Sequence, residues 1–443
     1  MKPRIIKLLR LLGPLVVFAM TAVSCGDLAP DSLAYASDDA DVATESVIRL
    51  ATPSASGLKG AIADWEREHP TARVEIVVRS LDDHHRSVLD NAGAGGTFDI
   101  IGFDASYGPD IRQRSELFID LSSFQGDVAE YRYLPSRWNE GIANDGQLIG
   151  LPIDVDGTAL AVRTDLVDAS IIDRLENAET WCDLLVAGNE FSEETGVAFL
   201  PDGDELFTTM LSQNRMSFID ESGNLITNES VALEQAWDLT MAAIGAEPLH
   251  GNACESNAEI DRIARNLDRE GTTWRQELRN NGFAAVLANF SDLRDIAVAA
   301  PDTAGDWTII ELPGEAGASS GGIHLALSAA SPHPELAFDL ISYLADPTTQ
   351  QDVFANGSGP FPSASILYGR AAITSYANPF FSDAPIGTIF SSTAQRRPTE
   401  LAEPLRRIAV EQFVSAVNRV ETRDQDPGEA WEQVRWQIEQ FLG

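Results

Sequence analysis

Apolar positions recur along the chain with two periods, and their alternation from segment to segment predicts the order of the elements. Val47, Ile48 and Leu50 form a short apolar run that the Pro-, Ser- and Gly-rich residues 53–57 interrupt. Leu58, Ile62 and Trp65 then recur at helical spacing. After His69-Pro70, residues 72–78 are short and β-branched and read as a second strand. A helix is expected over 84–91, ended by Gly93, Gly95 and Gly96, and 98–103 reads as a third strand. Strand, helix, strand, helix, strand predicts an α/β fold with a parallel sheet covered on both faces. Ligands of such sheets gather at the carboxyl ends of the strands, so the loops at 53–57, 80–83 and 104–107 become candidate binding loops.

Residues 165–293 carry mainly helical signals, with helices expected over 232–244 and 274–288. From Trp307 the pattern returns to strands, at 307–310 and 323–328, on either side of a glycine-rich loop at 313–322. Helices follow over 334–344 and 348–355, and 402–442 reads as helical with apolar cores at 405–417 and 431–442. No internal repeat of fixed period is visible.

The first residues change this picture. Lys2, Arg4, Lys7 and Arg10 precede an apolar run at 11–22, the pattern of an export signal. The run is shorter than the ~20 apolar residues needed to cross a bilayer, so 1–24 is expected to be a removable leader. Ala22-Val23-Ser24-Cys25-Gly26 resembles the bacterial lipobox, in which the cysteine is acylated. Cys25 would then fasten the protein to the extracytoplasmic face of the cell membrane. Residues 25–45 are acidic and rich in small side chains, and read as a disordered tether.

The 443-residue chain holds 68 acidic and 31 basic side chains, a net charge of -37, which makes nucleic acid and anionic lipid poor partners. Its length and 44% hydrophobic content are enough for two domains. In an oxidising compartment Cys182 and Cys254 are expected to pair if geometry allows, the alternative being two separate buried thiols. Asp82-Asp83-His84-His85 has metal-ligand residue types, but adjacent histidines do not face one point on a helix, so no metal or other cofactor is expected. Gly93-Ala94-Gly95-Gly96 precedes a strand, whereas a phosphate-cradling loop follows one.

Several segments then bear on function together. They are Thr97-Phe98-Asp99-Ile100-Ile101-Gly102-Phe103-Asp104, Gly146-Gln147-Leu148-Ile149-Gly150-Leu151-Pro152, Asp154-Val155-Asp156-Gly157-Thr158-Ala159-Leu160, Gly282-Phe283-Ala284-Ala285-Val286-Leu287-Ala288-Asn289-Phe290, and Gly321-Gly322-Ile323-His324-Leu325-Ala326-Leu327 followed by Pro334-Glu335-Leu336-Ala337. In this order, over nearly the whole mature chain, they resemble the extracellular solute-binding proteins of ABC importers, in the sugar-carrying branch that includes maltose-binding proteins. The resemblance implies a two-lobed, type II periplasmic-binding-protein-like fold with a hinge and an interlobe cleft. One lobe would hold 46–153 and 323–357, the other 154–322 and 358–443. It further implies a monomer without enzymatic activity that closes on a small solute, expected to be a carbohydrate, and docks on a membrane permease.

A sugar needs hydrogen-bonding groups for its hydroxyls and an aromatic face for its C–H surface. On that basis Asp83, Asp104, Asp154 and Asp156 are the candidate carboxylates. Tyr107, Phe290 and Phe361 are the candidate stacking residues, and Ser54, Ser56, Asn289 and Gly322 the remaining candidate contacts. Asp154→Ala and Phe290→Ala are accordingly expected to weaken binding while leaving folding nearly intact. Two rival readings stay open: the same fold carrying a polyamine or another small solute, and a secreted glycosidase using a carboxylate pair.

Overall fold

The computed structural model describes residues 46–442 apart from 92–97, 125–128, 215–216, 221–224, 228–229, 252–253, 255–259, 268, 270, 357–358, 400–402 and 404. The leader, Cys25, the tether and the glycines at 93–96 lie outside the described residues. β1 (Ser46–Thr52), β2 (Ala72–Val78) and β3 (Ile100–Asp104) are parallel, with β1 in the middle. Of two later strands, β4 (Gly150–Pro152) and β9 (Ile323–Leu327), the second runs antiparallel to both β3 and β4, giving the order β2-β1-β3-β9-β4. Every residue of β3 and β9 is buried, which requires cover on both faces of the sheet. The Leu58–Glu68 helix contributes Leu58, Ala61, Ile62 and Trp65 to that cover. The Trp65 Nε1–H donates to Asp339 Oδ2, at 2.7 Å, on the Pro334–Ala345 helix.

The second lobe is built on an antiparallel sheet. Its central strand β5 (Asp156–Arg163) lies between β6 (Ala285–Asn289) and β7 (Trp307–Ile310), and β8 (Ser319–Gly321) pairs with the start of β5. Helices Gly203–Ser212, Val231–Ala243, Arg406–Arg423 and Pro427–Leu442 pack beside it around Phe207, Trp237, Phe413 and Trp431. The single helix expected over 274–288 is instead the helix Thr272–Arg279 followed by β6. Asn281 adopts a φ of 60° between them, a left-handed conformation that ends a helix. Trp274 and Leu278 are buried on the helix, whereas the buried run in β6 is continuous, so two periods had merged into one apolar stretch.

Three chain crossings meet between the lobes. The Ile153 N–H donates to Ile323 O at 3.1 Å and the Val155 N–H to Phe361 O at 2.9 Å, which laces the crossings side by side. Gly321 and Gly322 have φ of 137° and 130°, and a Cβ would come within 2.8 Å of Asp104 Oδ1 or 2.9 Å of Arg137 Nη2. Gly322, expected to touch ligand, is therefore a backbone pivot that no larger residue fits. Beneath it lies a buried ionic group: Arg137 Nη1 donates to Glu140 Oε2 and Arg397 Nη1 to Glu140 Oε1, each at 2.5 Å. Arg137 also donates to Asp154 O at 3.1 Å and to His324 Nδ1 at 3.1 Å, while the His324 Nε2–H returns a bond to Arg137 O at 2.7 Å.

Cys182, in the first turn of the Trp181–Thr195 helix, is joined to Cys254 by a disulfide with a Cα–Cα distance of 5.6 Å across 72 residues. Closing so long a loop restricts the unfolded chain, so reduction is expected to lower stability by about 2–4 kcal/mol. Intact mass after alkylation checks the bridge: without reductant neither cysteine of exported protein should take up label. Labelling of both would show that the bridge is absent. No helix of the described residues is long and apolar enough to cross a membrane.

Candidate functional site

Two of the four acids expected to grip a solute, Asp104 and Asp154, bond the crossings. Asp104 ends β3 and caps the short turn Ala105–Tyr107: its Oδ1 accepts from the Ser106 N–H at 2.8 Å and the Ser106 hydroxyl at 2.5 Å, and Oδ2 accepts from the Gly322 N–H at 3.2 Å. Asp154 accepts from the Ile323 N–H. Both carboxylates thus satisfy backbone donors of the neighbouring crossing, which would be costly to leave unpaired in so buried a place. Asp156 begins β5 opposite Gly321, and its Oδ1 is buried with no hydrogen-bond partner among the described residues. Burial pushes Asp154 up to about 7, with Arg137 and the Ile323 N–H pulling the other way and Asp104 adding to the rise. Burial, then the charges of Asp154 and Asp104, push Asp156 well above the ordinary carboxylate range.

The proposed stacking residues are core residues. Phe361 is 0% and Phe290 8% exposed, and Phe290 packs against Phe354, Phe361, Tyr376 and Phe390 with ring centroids 5.3–5.6 Å apart. Tyr107, 7% exposed, stacks on His85 at 4.0 Å and donates its hydroxyl to Asp82 Oδ1 at 2.7 Å. His84 and His85 are not a metal pair: His84 donates to Gly102 O at 2.6 Å, and His85 accepts from the Asp104 N–H at 3.0 Å. Among the described residues no three His, Cys, Asp or Glu side chains converge as a metal site. Asp83 points to the exposed face of its helix and pairs with Arg86 at 3.2 Å, away from the crossings. Ser54 is exposed, and its Oγ accepts from the Ser56 N–H at 3.3 Å.

A cavity of about 350 Å³ opens beside the crossings. Eight hydroxyl side chains line it: Ser106 from the first lobe, with Thr158, Thr208, Thr209, Ser212, Ser319, Ser320 and Thr399. Glu205, Arg269, Asp292, Arg397 and Arg406 supply charge, and no aromatic side chain among the described residues reaches it. Of the residues singled out from sequence, Asn289 alone lines it, and that side chain also caps the Phe290–Ala299 helix: Oδ1 accepts from the Asp292 N–H at 2.9 Å and Nδ2 donates to Ser320 Oγ at 3.2 Å. The reciprocal bond from the Asn289 N–H to Asp292 Oδ2, at 2.9 Å, completes a capping box. The spacing Asn-x-x-Asp was readable in the sequence and would have drawn attention to Asp292. Glu205 and Arg269 carried no such signal, since only tertiary packing joins them.

Arg269 donates to Asp292 Oδ2 at 2.6 Å and also to Glu205 Oε2. Burial pushes Glu205 up to about 8 against the pull of Arg269, with Asp292 and Asp202 adding to the rise. Burial disfavours the Arg269 charge, but Glu205 and Asp292 outweigh it and hold the guanidinium charged. A Gly-x-Ser-x-Gly spacing that sequence reading passed over, Gly317 to Gly321, also reaches the cavity. It runs into edge strand β8 instead of turning from a strand into a helix, Ser319 Oγ accepts from the Gly321 N–H at 3.2 Å, and no histidine among the described residues lines the cavity, so it is no nucleophile elbow.

Residues 61–378 match the family model described as bacterial extracellular solute-binding protein. The chain belongs to this family. An arabinooligosaccharide-binding protein of Halalkalibacterium halodurans is 25% identical over 328 residues, covering 71% of this chain and 70% of that protein. A crystal structure described as extracellular solute-binding protein family 1 superposes with a TM-score of 0.77 at 22% identity, over 90% of this chain and 100% of the other. The ABC transporter associated binding protein from B. animalis subsp. lactis, in complex with β-1,6-galactobiose, gives 0.71 at 16% identity, over 89% and 97%. These likenesses establish the two-lobed, type II fold, and the family is one of binding proteins acting on the extracytoplasmic side.

In this solute-binding protein the lobes touch across the cleft. Arg407 Nε donates to Asp110 Oδ2 at 2.8 Å, with its Cζ 4.7 Å above the Tyr107 ring, and Arg294 Nη1 donates to Ser56 Oγ at 3.0 Å. Ser56 thus serves contact between lobes. Arg397 on Glu140 adds a further bond between segments far apart in the chain.

Proposed function

We propose that this protein captures a neutral sugar or short oligosaccharide between its lobes and hands it to the permease of an ABC importer. The observation that carries the reading is the cavity wall, in which eight hydroxyl-bearing side chains line the space around Arg269, itself paired with Asp292 and Glu205. Polyhydroxylated solutes match such a wall, since each hydroxyl both donates and accepts. The arabinooligosaccharide and galactobiose in the descriptions of the two relatives point the same way. A polyamine would need free carboxylates, whereas the two acids of the wall, Glu205 and Asp292, are paired with Arg269. The reading includes lobes divided as 46–153 with 323–357 and 154–322 with 358–443, a lipid on Cys25 holding a monomer at the membrane, and binding without turnover.

Titration calorimetry with arabinotriose, β-1,6-galactobiose, maltose and spermidine tests it. Saturable binding of at least one saccharide, with the saccharide recovered unchanged, is expected. Binding of spermidine alone would favour the polyamine reading, and release of monosaccharide would favour the glycosidase.

A further inference from the structure

Arg269 stands in a turn of the cavity wall, and three elements clamp it. Glu205 comes from the Gly203–Ser212 helix, Asp292 from the first turn of the Phe290–Ala299 helix, and the third acceptor, Leu287 O, from β6. The Trp274 ring lies 5.9 Å from its Cζ and supports the guanidinium from one side. A free arginine loses rotamer freedom when a ligand fixes it, and here the fold has fixed it beforehand. Of the five N–H groups of a guanidinium, these bonds use three, so Nε–H and one Nη1–H have no acceptor among the described residues. The side chain remains 28% exposed, and the space it faces is the cavity.

We propose that Arg269 is the specificity-determining residue of the cavity, donating its two remaining N–H groups to oxygens of a bound saccharide, with Glu205 and Asp292 as positioning residues that aim it. The inference rests on the sugar-binding reading. With no aromatic side chain among the described residues of the wall, recognition depends on bonds directed at particular oxygens, and a rigid planar donor discriminates among hydroxyl arrangements better than rotating serine and threonine hydroxyls do.

The test uses whichever of arabinotriose, β-1,6-galactobiose and maltose binds the parent protein, together with its singly deoxygenated analogues. Arg269→Gln is expected to weaken binding roughly ten- to hundredfold. One deoxy analogue should bind the parent at least roughly tenfold more weakly than the intact sugar and bind Arg269→Gln no differently from it, the coupling that a direct contact produces. Because Arg269→Gln leaves two acids facing each other and can fail to fold, Arg269→Lys serves as the second variant. It keeps the charge and loses the planar fork, so it should fold as the parent does and still lose the discrimination. Equal affinity of parent and Arg269→Lys for both intact and deoxy sugars would overturn the proposal while the sugar reading stands. If none of the three saccharides binds the parent, the sugar reading fails and this inference with it.

Discussion

Glu140→Ala is expected to lower the free energy of unfolding by about 3–5 kcal/mol, the usual cost of removing one partner from a buried ion pair. The substitution removes from Arg137 and Arg397, both buried, the carboxylate that they share. Arg137 also holds Asp154 O and His324, so the damage should reach two crossings at once. Burial alone would raise the Glu140 carboxyl, but Arg397 and Arg137 reverse that and bring it down to about 2 from an ordinary 4.5. A depressed folded-state value means that the contribution is fully present above pH 4.5 and fades as the pH falls toward about 2. Urea unfolding of parent and variant should therefore differ most near neutrality and converge in acid. A difference below ~1 kcal/mol at pH 7 would show that the group is not the brace described here.

Phe290→Ala is expected to act on stability and hardly on affinity, the reverse of what the sequence suggested. The ring is buried among Phe354, Phe361, Tyr376 and Phe390, which come from three separate segments of the chain, and truncating such a phenylalanine costs about 3–5 kcal/mol. The ring takes no part in lining the cavity, although Asn289 beside it does. Denaturation midpoints should fall sharply, while calorimetry on the folded variant at low temperature should give the parent's affinity. A variant with parental stability and weakened saccharide binding would restore the stacking role and place the cleft on the other side of this residue.

Asp154 and Asp156 illustrate how far the linear reading reached. Both lie in the extended segment that the family-like motif marked, Asp156 as the first residue of β5. Their job was not legible. Whether a carboxylate faces solute or satisfies the N–H of Ile323 depends on which chain segment lies beside it, 169 residues away. Tyr107 fails in the same manner: an aromatic at a strand end reads as a platform, and only the packing of His85 and Arg407 on its two faces makes it a core residue. The helix expected over 274–288 failed for a local reason, since a left-handed Asn281 divides it and asparagine carries that signal weakly.

The sequence by itself determined the parallel βαβαβ start, most of the later helices and the family, since each depends on periodicity or on the order of short motifs within a continuous stretch of chain. The tertiary structure alone decided the cavity. Its wall draws Ser106, Thr158, Glu205, Arg269 and Thr399 from segments far apart in the chain, and none stands out locally from the many serines, threonines and charged residues of so polar a sequence. Local pattern reports which face of an element is apolar, whereas a binding wall is defined by the polar side chains that different elements leave facing one space. That arrangement exists only once the lobes have packed.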